Sequence, residues 1–111
     1  MGEKQERDAK REEMFAYFLR NLTSDNPSLR FGAAHSLGRM NDPRAIEPLI
    51  ALLNDEDWRV RFKTVWALGR LGDLRVLAFL SPLSRDESET VRDSVVQAKE
   101  EILRRESMKH R

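Results

Sequence analysis

Residues 55–72 read DEDWRVRFKTVWALGRLG. An acidic turn opens the stretch, a Leu-Gly pair closes it, and Val60, Thr64, Leu68 and Leu71 recur between them at steps of three and four, the spacing of one helical stripe. On either side the pattern repeats: residues 24–54 lie over 55–85 without a gap and keep Arg30/Arg61, Phe31/Phe62, Leu37/Leu68, Gly38/Gly69, Arg39/Arg70, Asp42/Asp73, Arg44/Arg75, Leu49/Leu80 and Leu52/Leu83. Arg92 continues the series, so an arginine preceded by Leu or Val returns every 31 residues, each time shortly after an acidic or polar turn. A period of that length, shared by apolar, turn and charged positions alike, marks a solenoid of stacked helix pairs.

The punctuation predicts six helices. The first runs to about Leu22, with Met14, Phe15, Phe18, Leu19 and Leu22 on one face; its polar beginning should fray or project into water. Asn26-Pro27 starts the second helix, which ends at Met40-Asn41; Asp42-Pro43 starts the third, which closes near Leu53. Asp57 caps the fourth, ending at Leu71-Gly72; Asp73 opens the fifth; residues 86–88 open the sixth, which continues to about Arg105. Pro48 and Pro82 each lack an amide, so a tightened turn is expected before Pro48 and a bend or stop at Pro82. Short connections make successive helices antiparallel, with the second, fourth and sixth in one layer and the first, third and fifth in another. The expected architecture is all-α, an α-α superhelix of armadillo/HEAT type with six antiparallel helices in one right-handed domain spanning 1–111. Its three repeats fall at about 11–41, 42–72 and 73–105, with charged, frayed ends at 1–12 and 106–111.

Composition bounds the function classes. The 111 residues are 40% hydrophobic and 35% charged, as in one globular domain, and 20 basic residues nearly balance 19 acidic ones. No uniform field favours nucleic acid or an anionic membrane, so any electrostatic partner must read a local patch. With no cysteine there is neither a disulfide framework nor a thiolate zinc site, and no apolar signal or membrane-length run is seen. A cytoplasmic protein without membrane contact is expected.

The frames at 41–53, NDPRAIEPLIALL, and 55–72 resemble HEAT repeats of the short type found in phycobilin lyases and used for artificial repeat binders, over about residues 11–103. The Asp-x5-Arg spacing, the Ala-Leu-Gly tract and the Gly-Asp turn carry the likeness; Ser24 departs from it in the first repeat, and Lys99 and Glu100 in the third. The resemblance implies a hydrogen-bonded structural ladder between successive repeats, carried here by Arg30, Asp55, Arg61, Asp86 and Arg92.

On the second helix, Leu29, Ala33, Leu37 and Met40 form the expected core stripe, with Phe31, His35 and Arg39 on the opposite side; the fourth helix repeats this with Phe62, Trp66 and Arg70. Aromatic residues therefore stand where a soluble helix normally shows charge. The resemblance makes this side the concave surface and puts partner-binding positions at Phe31, Gly32, His35 and Arg39, at Phe62, Lys63, Trp66 and Arg70, and at Asp93, Ser94, Gln97 and Glu101. Aromatic and arginine side chains suit such a face because they cover much surface per rotamer frozen. Trp58, at a helix start, is a secondary candidate that covers a repeat edge.

Signals for catalysis are weak. His35 and His110 are the two histidines, and the HEAT-like di-iron hydroxylases, similar in repeat form, need helical His-Glu pairs for their metal. No Gly-rich phosphate loop or nucleophile-base pair stands out, so no catalytic, cofactor-binding or metal residue is expected. The reading is a non-catalytic interaction module that binds a protein or peptide of unknown identity on its concave face. Phe31, Phe62 and Trp66 would anchor it, while Arg39, Lys63 and Arg70 meet carboxylates. The alternatives are a nucleic-acid binder, disfavoured by the charge balance, and an accessory subunit of an enzyme such as a bilin lyase; self-association through the repeat ends is open.

Overall fold

A computed structural model describes residues 2–109; Met1, His110 and Arg111, which the expected frayed ends include, lie outside the described residues. Among the described residues there is no strand. Helix α1 spans Gly2–Asn21, α2 Pro27–Met40, α4 Trp58–Leu71 and α6 Glu89–Met108. The other two are short and built in pieces. In α3 an α-helical stretch, Ile46–Ala51, lies between 3₁₀ turns at Pro43–Ala45 and Leu52–Asn54. In α5, Leu77–Leu80 lies between 3₁₀ turns at Leu74–Val76 and Ser81–Arg85. The prolines explain both interruptions: the tight turn precedes Pro48, and α5 gives way to 3₁₀ geometry where Pro82 withholds its amide.

Side-chain caps set the starts. Asn26 accepts from the Ser28 amide at 2.9 Å and Asp57 from the Arg59 amide at 2.9 Å. Asp42 and Asp73 do the same for Arg44 and Arg75, both at 3.0 Å, and Ser88 caps α6 through the Val91 amide. The ends differ from each other. Asn41 closes α2 in the left-handed conformation, φ 57°, whereas Gly72 is extended at φ −79°. Gly72 is needed for space instead: a Cβ there would sit 2.6 Å from the Leu68 carbonyl oxygen and 2.7 Å from Val76.

α4 is the centre of the molecule, packed against α2 on one side and α6 on the other, while α1 lies along α2. The core runs through Leu37, Leu49, Val60, Val65, Leu68, Leu80, Val91, Val95 and Ile102. Gly38 and Gly69 let the inner helices touch: a Cβ at Gly38 would fall 3.0 Å from the Ala67 Cβ, and one at Gly69 would fall 2.9 Å from the Ala98 Cβ. Leu29, expected in the core stripe, is 42% exposed. Its equivalents Val60 and Val91 are buried, so the stripe is right; among the described residues no inner helix lies on the side of Leu29 that α2 and α4 cover for them. Met40, expected in the same stripe, is half-buried.

α1 is helical from Gly2 onward, with residues 2–14 exposed and Phe15 its buried anchor. Arg44 ties it to α3, donating to Glu12 at 2.6 Å and Asp42 at 2.7 Å with its guanidinium 4.4 Å from the Phe15 ring centre. Arg11 donates to the Met40 carbonyl. No helix among the described residues is long and apolar enough to cross a membrane.

Candidate functional site

Two groups of recurring residues could carry function, and their surroundings separate them. At the repeat junctions, Arg30 donates through Nε and Nη2 to both Asp55 oxygens, at 2.7 and 3.1 Å, and through Nη1 to the Ser24 carbonyl at 2.8 Å. Arg61 repeats the arrangement on Asp86 at 2.9 and 3.1 Å, with Nη1 on the Asp55 carbonyl at 2.8 Å. Both side chains of the Arg61–Asp86 pair are about 10% exposed. Burial pushes the Asp86 carboxyl upward, but the Arg61 hydrogen bond and the Ser88 amide outweigh it and hold the group below its ordinary value. Among the described residues Arg92 keeps only the carbonyl contact, Nη1 to Asp86 at 2.7 Å. These forks are saturated within the fold, apart from that of Arg92.

The second group lies where α2 meets α4. The His35 and Trp66 rings stack with centres 5.1 Å apart and planes at 11°. The Lys63 ammonium sits 4.3 Å from the Trp66 ring centre and 5.3 Å from those of both Phe31 and Phe62, and the Arg70 guanidinium lies 5.2 Å from Trp66. The periodicity places these residues one helical turn apart on adjacent helices, and Gly38 provides the room, since a Cβ there would meet the Trp66 ring at 2.7 Å. Burial lowers the Lys63 ammonium below its ordinary value, and burial followed by the charges of Lys63, Arg39 and Arg70 lowers that of His35. The charges acting on His35 are all positive. The cluster is therefore a partly desolvated cationic surface floored by aromatic rings.

The rings are more accessible than the core leucines Leu37 and Leu68, though not fully open. Phe31, His35, Phe62 and Trp66 are half-buried, with Phe62 and Trp66 packed on the core. Arg70 also donates to the Gly38 carbonyl at 3.2 Å, while Arg39 is exposed. The third repeat does not join them. Gln97 and Asp93 are exposed, Glu101 is engaged by Arg105 at 3.3 Å, and Ser94 is buried with its hydroxyl on the Val91 carbonyl at 2.6 Å. Ser94 is thus a core position and not a contact position. Sequence reasoning missed Arg105, which reaches the Gly72 carbonyl at 2.7 Å. With Arg70 and Arg11 it forms a set of arginines satisfying carbonyls at the ends of neighbouring inner helices; Arg70 and Arg105 stand about one repeat downstream of their acceptors and Arg11 about one repeat upstream, a role signalled only by that spacing.

Trp58 is 45% exposed beside Pro27 and Arg59. The nearby depression between the starts of α2 and α4, lined by Pro27, Phe31, Asp57 and Val60, holds an Asp57–Arg59 pair at 2.9 Å that neutralises it. No group of three or more His, Asp or Glu side chains among the described residues could hold a metal ion. His35 is wedged between an indole and cations, which is a poor setting for a metal ligand. The described residues do not fit a di-iron centre.

The stacked pairs, the 31-residue period and the arginine-aspartate junctions agree with a comparison of families, in which HEAT repeats match residues 16–99. The chain belongs to the HEAT repeats. No curated protein matches it. Among solved structures, these HEAT repeats are similar to human deoxyhypusine hydroxylase in complex with glycerol, at 29% sequence identity and a TM-score of 0.76. The likeness covers 85% of this chain and 33% of the hydroxylase, so the chain spans about a third of that protein's length. This corrects two expectations drawn from the sequence, that the chain is a non-catalytic interaction module and that it is not an enzyme: the solved structure it is similar to is that of an enzyme. The sequence misled because solenoid residues encode stacking, and stacking looks the same in a scaffold and in an enzyme.

Proposed function

We propose that this chain is the HEAT-repeat component of an enzyme, an accessory part that positions a protein chain, either the catalytic subunit or its substrate, against the α2–α4 cluster. One observation carries the reading: the similarity at 29% identity over 85% of the chain to an enzyme, of which it covers 33%. Two features of the cluster support it. Lys63 and Arg39 offer positive charge that no carboxylate among the described residues takes up, and the half-buried rings beneath Lys63 give apolar surface in the same place. Accessible Arg and aromatic groups together make efficient contact points. The lack of cysteine fits work in the reducing cytoplasm.

The test is reconstitution. Tagged chain is used to recover its enzyme, and turnover is measured with the chain present, removed and restored as the double variant Arg39→Glu/Lys63→Gln. Wild-type chain should restore turnover or lower KM, and the double variant, folding normally by its melting curve, should do neither. Turnover indifferent to the chain would sink the accessory reading; turnover restored equally by the double variant would move the contact away from the cluster.

A further inference from the structure

Among the described residues, the third junction of the solenoid is built but not filled. Arg30 and Arg61 each hold an aspartate 25 residues downstream, steadied by the Nη1 bond to a carbonyl of their own helix-start turn. Arg92 is held by the same Nη1 bond, to Asp86 at 2.7 Å, yet its Nε and Nη2 donate to no acceptor among the described residues. The filled forks give the chemistry of the missing occupant. Each bound aspartate also accepts, through Oδ1, the amide two residues on, Asp57 or Ser88, at 2.9 Å, so it is the aspartate of a helix-start turn. Along α6, on the stripe of Arg92, lie Val96 at 56% and Leu103 at 52% exposure, with Glu100 between them. Val96 stands one period after the buried Val65 and Ala34, so its exposure is that of a junction position with nothing stacked on it.

We infer that the outer edge of α6 is a docking site for a further helix pair that supplies an aspartate to the open fork of Arg92 and a cation opposite Glu100. The cation follows from the register. Glu100 occupies the place of Gly38 and Gly69, against which Ala67 and Ala98 approach to about 3 Å. A carboxylate there forbids that close alanine contact and rewards a lysine or arginine in its stead. The same register argues against a second copy as occupant. A stacked copy would bring Ser24 to Arg92 and Ser36 to Glu100, and Ser24, whose hydroxyl already accepts the Asn26 amide at 3.1 Å, carries no charge for the fork. The edge is thus closed to its own kind and open to a partner of stated chemistry. It lies apart from the α2–α4 cluster and does not depend on the reading of that cluster.

The full chain itself can be converted into the partner. The probe carries Ser24→Asp and Ser36→Lys, which supply the two complementary groups, and Arg92→Gln, which prevents it from binding itself. Titration calorimetry should show the probe binding wild-type chain at least about thirtyfold more tightly than wild type binds wild type, with the gain lost when the receptor carries Arg92→Gln. Absence of the gain, or a gain that survives Arg92→Gln in the receptor, overturns the inference. Should the probe melt below the assay temperature, the Ser24→Asp/Arg92→Gln chain replaces it under the same criterion.

Discussion

Three arginines at the same repeat position have unequal duties, and the difference is measurable. Arg61→Ala strips Asp86 of both side-chain donors and leaves the Asp55 carbonyl without its guanidinium partner, in a site about 10% exposed. A loss of about 1–3 kcal/mol is expected from denaturant midpoints. Arg92→Ala removes one carbonyl contact and should cost less; equal losses would mean that the paired forks add nothing. His35 makes a different test. Burial first, and then three nearby cations, lower it below the ordinary 6.5, so between those two values the unfolded chain binds more protons than the folded one. Stability should therefore fall as pH drops from about 6.5 toward the folded-state value, and His35→Gln should flatten that slope. The carboxylates act in a lower window. Asp57, held at about 2 by the Arg59 side chain and amide, loses its contribution as pH falls from 3.8 toward 2. A slope above pH 6 that persists in His35→Gln would contradict the assignment.

Helices in this molecule are spaced by their smallest residues. Gly69→Ala improves the helix propensity of α4 by up to about 1 kcal/mol, yet its Cβ would stand 2.9 Å from the Ala98 Cβ and 3.0 Å from the Ala98 backbone. Backbone cannot yield as a flexible side chain would, so overpacking, about 1–3 kcal/mol, should outweigh propensity and lower the melting temperature. Gly32→Ala is the control with opposite sign. Nothing lies within 4 Å of a Cβ at Gly32 in α2, so the gain of roughly 0.5–1 kcal/mol should appear in full. Calorimetry on the two variants reads the signs, and stabilisation by both would show that α4 and α6 are not in close contact at Gly69.

Across the full solenoid, α4 joins the first repeat to the third. The structure is a slab with principal extents of 49, 44 and 17 Å, in which the main helix packing runs between successive repeats, α2 on α4 and α4 on α6. Leu68 is fully buried at the centre, so Leu68→Ala should cost about 2–4 kcal/mol. Because both flanking repeats lean on α4, unfolding should remain one transition at a lower midpoint. A midpoint equal to wild type would remove Leu68 from the core, and two separated transitions would mean that the first and third repeats hold without the second.

The 31-residue period, the helix starts at Asn26, Asp42, Asp57 and Asp73 and the proline interruptions at Pro48 and Pro82 were all legible in the sequence. These are local matters: a cap or a missing amide acts within a few residues, and a repeat writes the same core positions several times. The stack decides what each position meets across a junction. Leu29, Val60 and Val91 are equivalent in the sequence, yet only Leu29 is exposed, because among the described residues no inner helix precedes it. Arg30, Arg61 and Arg92 are likewise equivalent, and only the fold shows that the third lacks a carboxylate. The aromatics on α2 and α4, which the sequence places opposite the core stripe, are half-buried where Leu37 and Leu68 are fully buried, and only the fold shows Lys63 drawn over them. The repeat and its elements are written in the chain, since they follow from short-range chemistry. Which of the repeated groups are satisfied is settled only in the folded stack, because satisfaction depends on a neighbour that the interior repeats have and the outer ones lack.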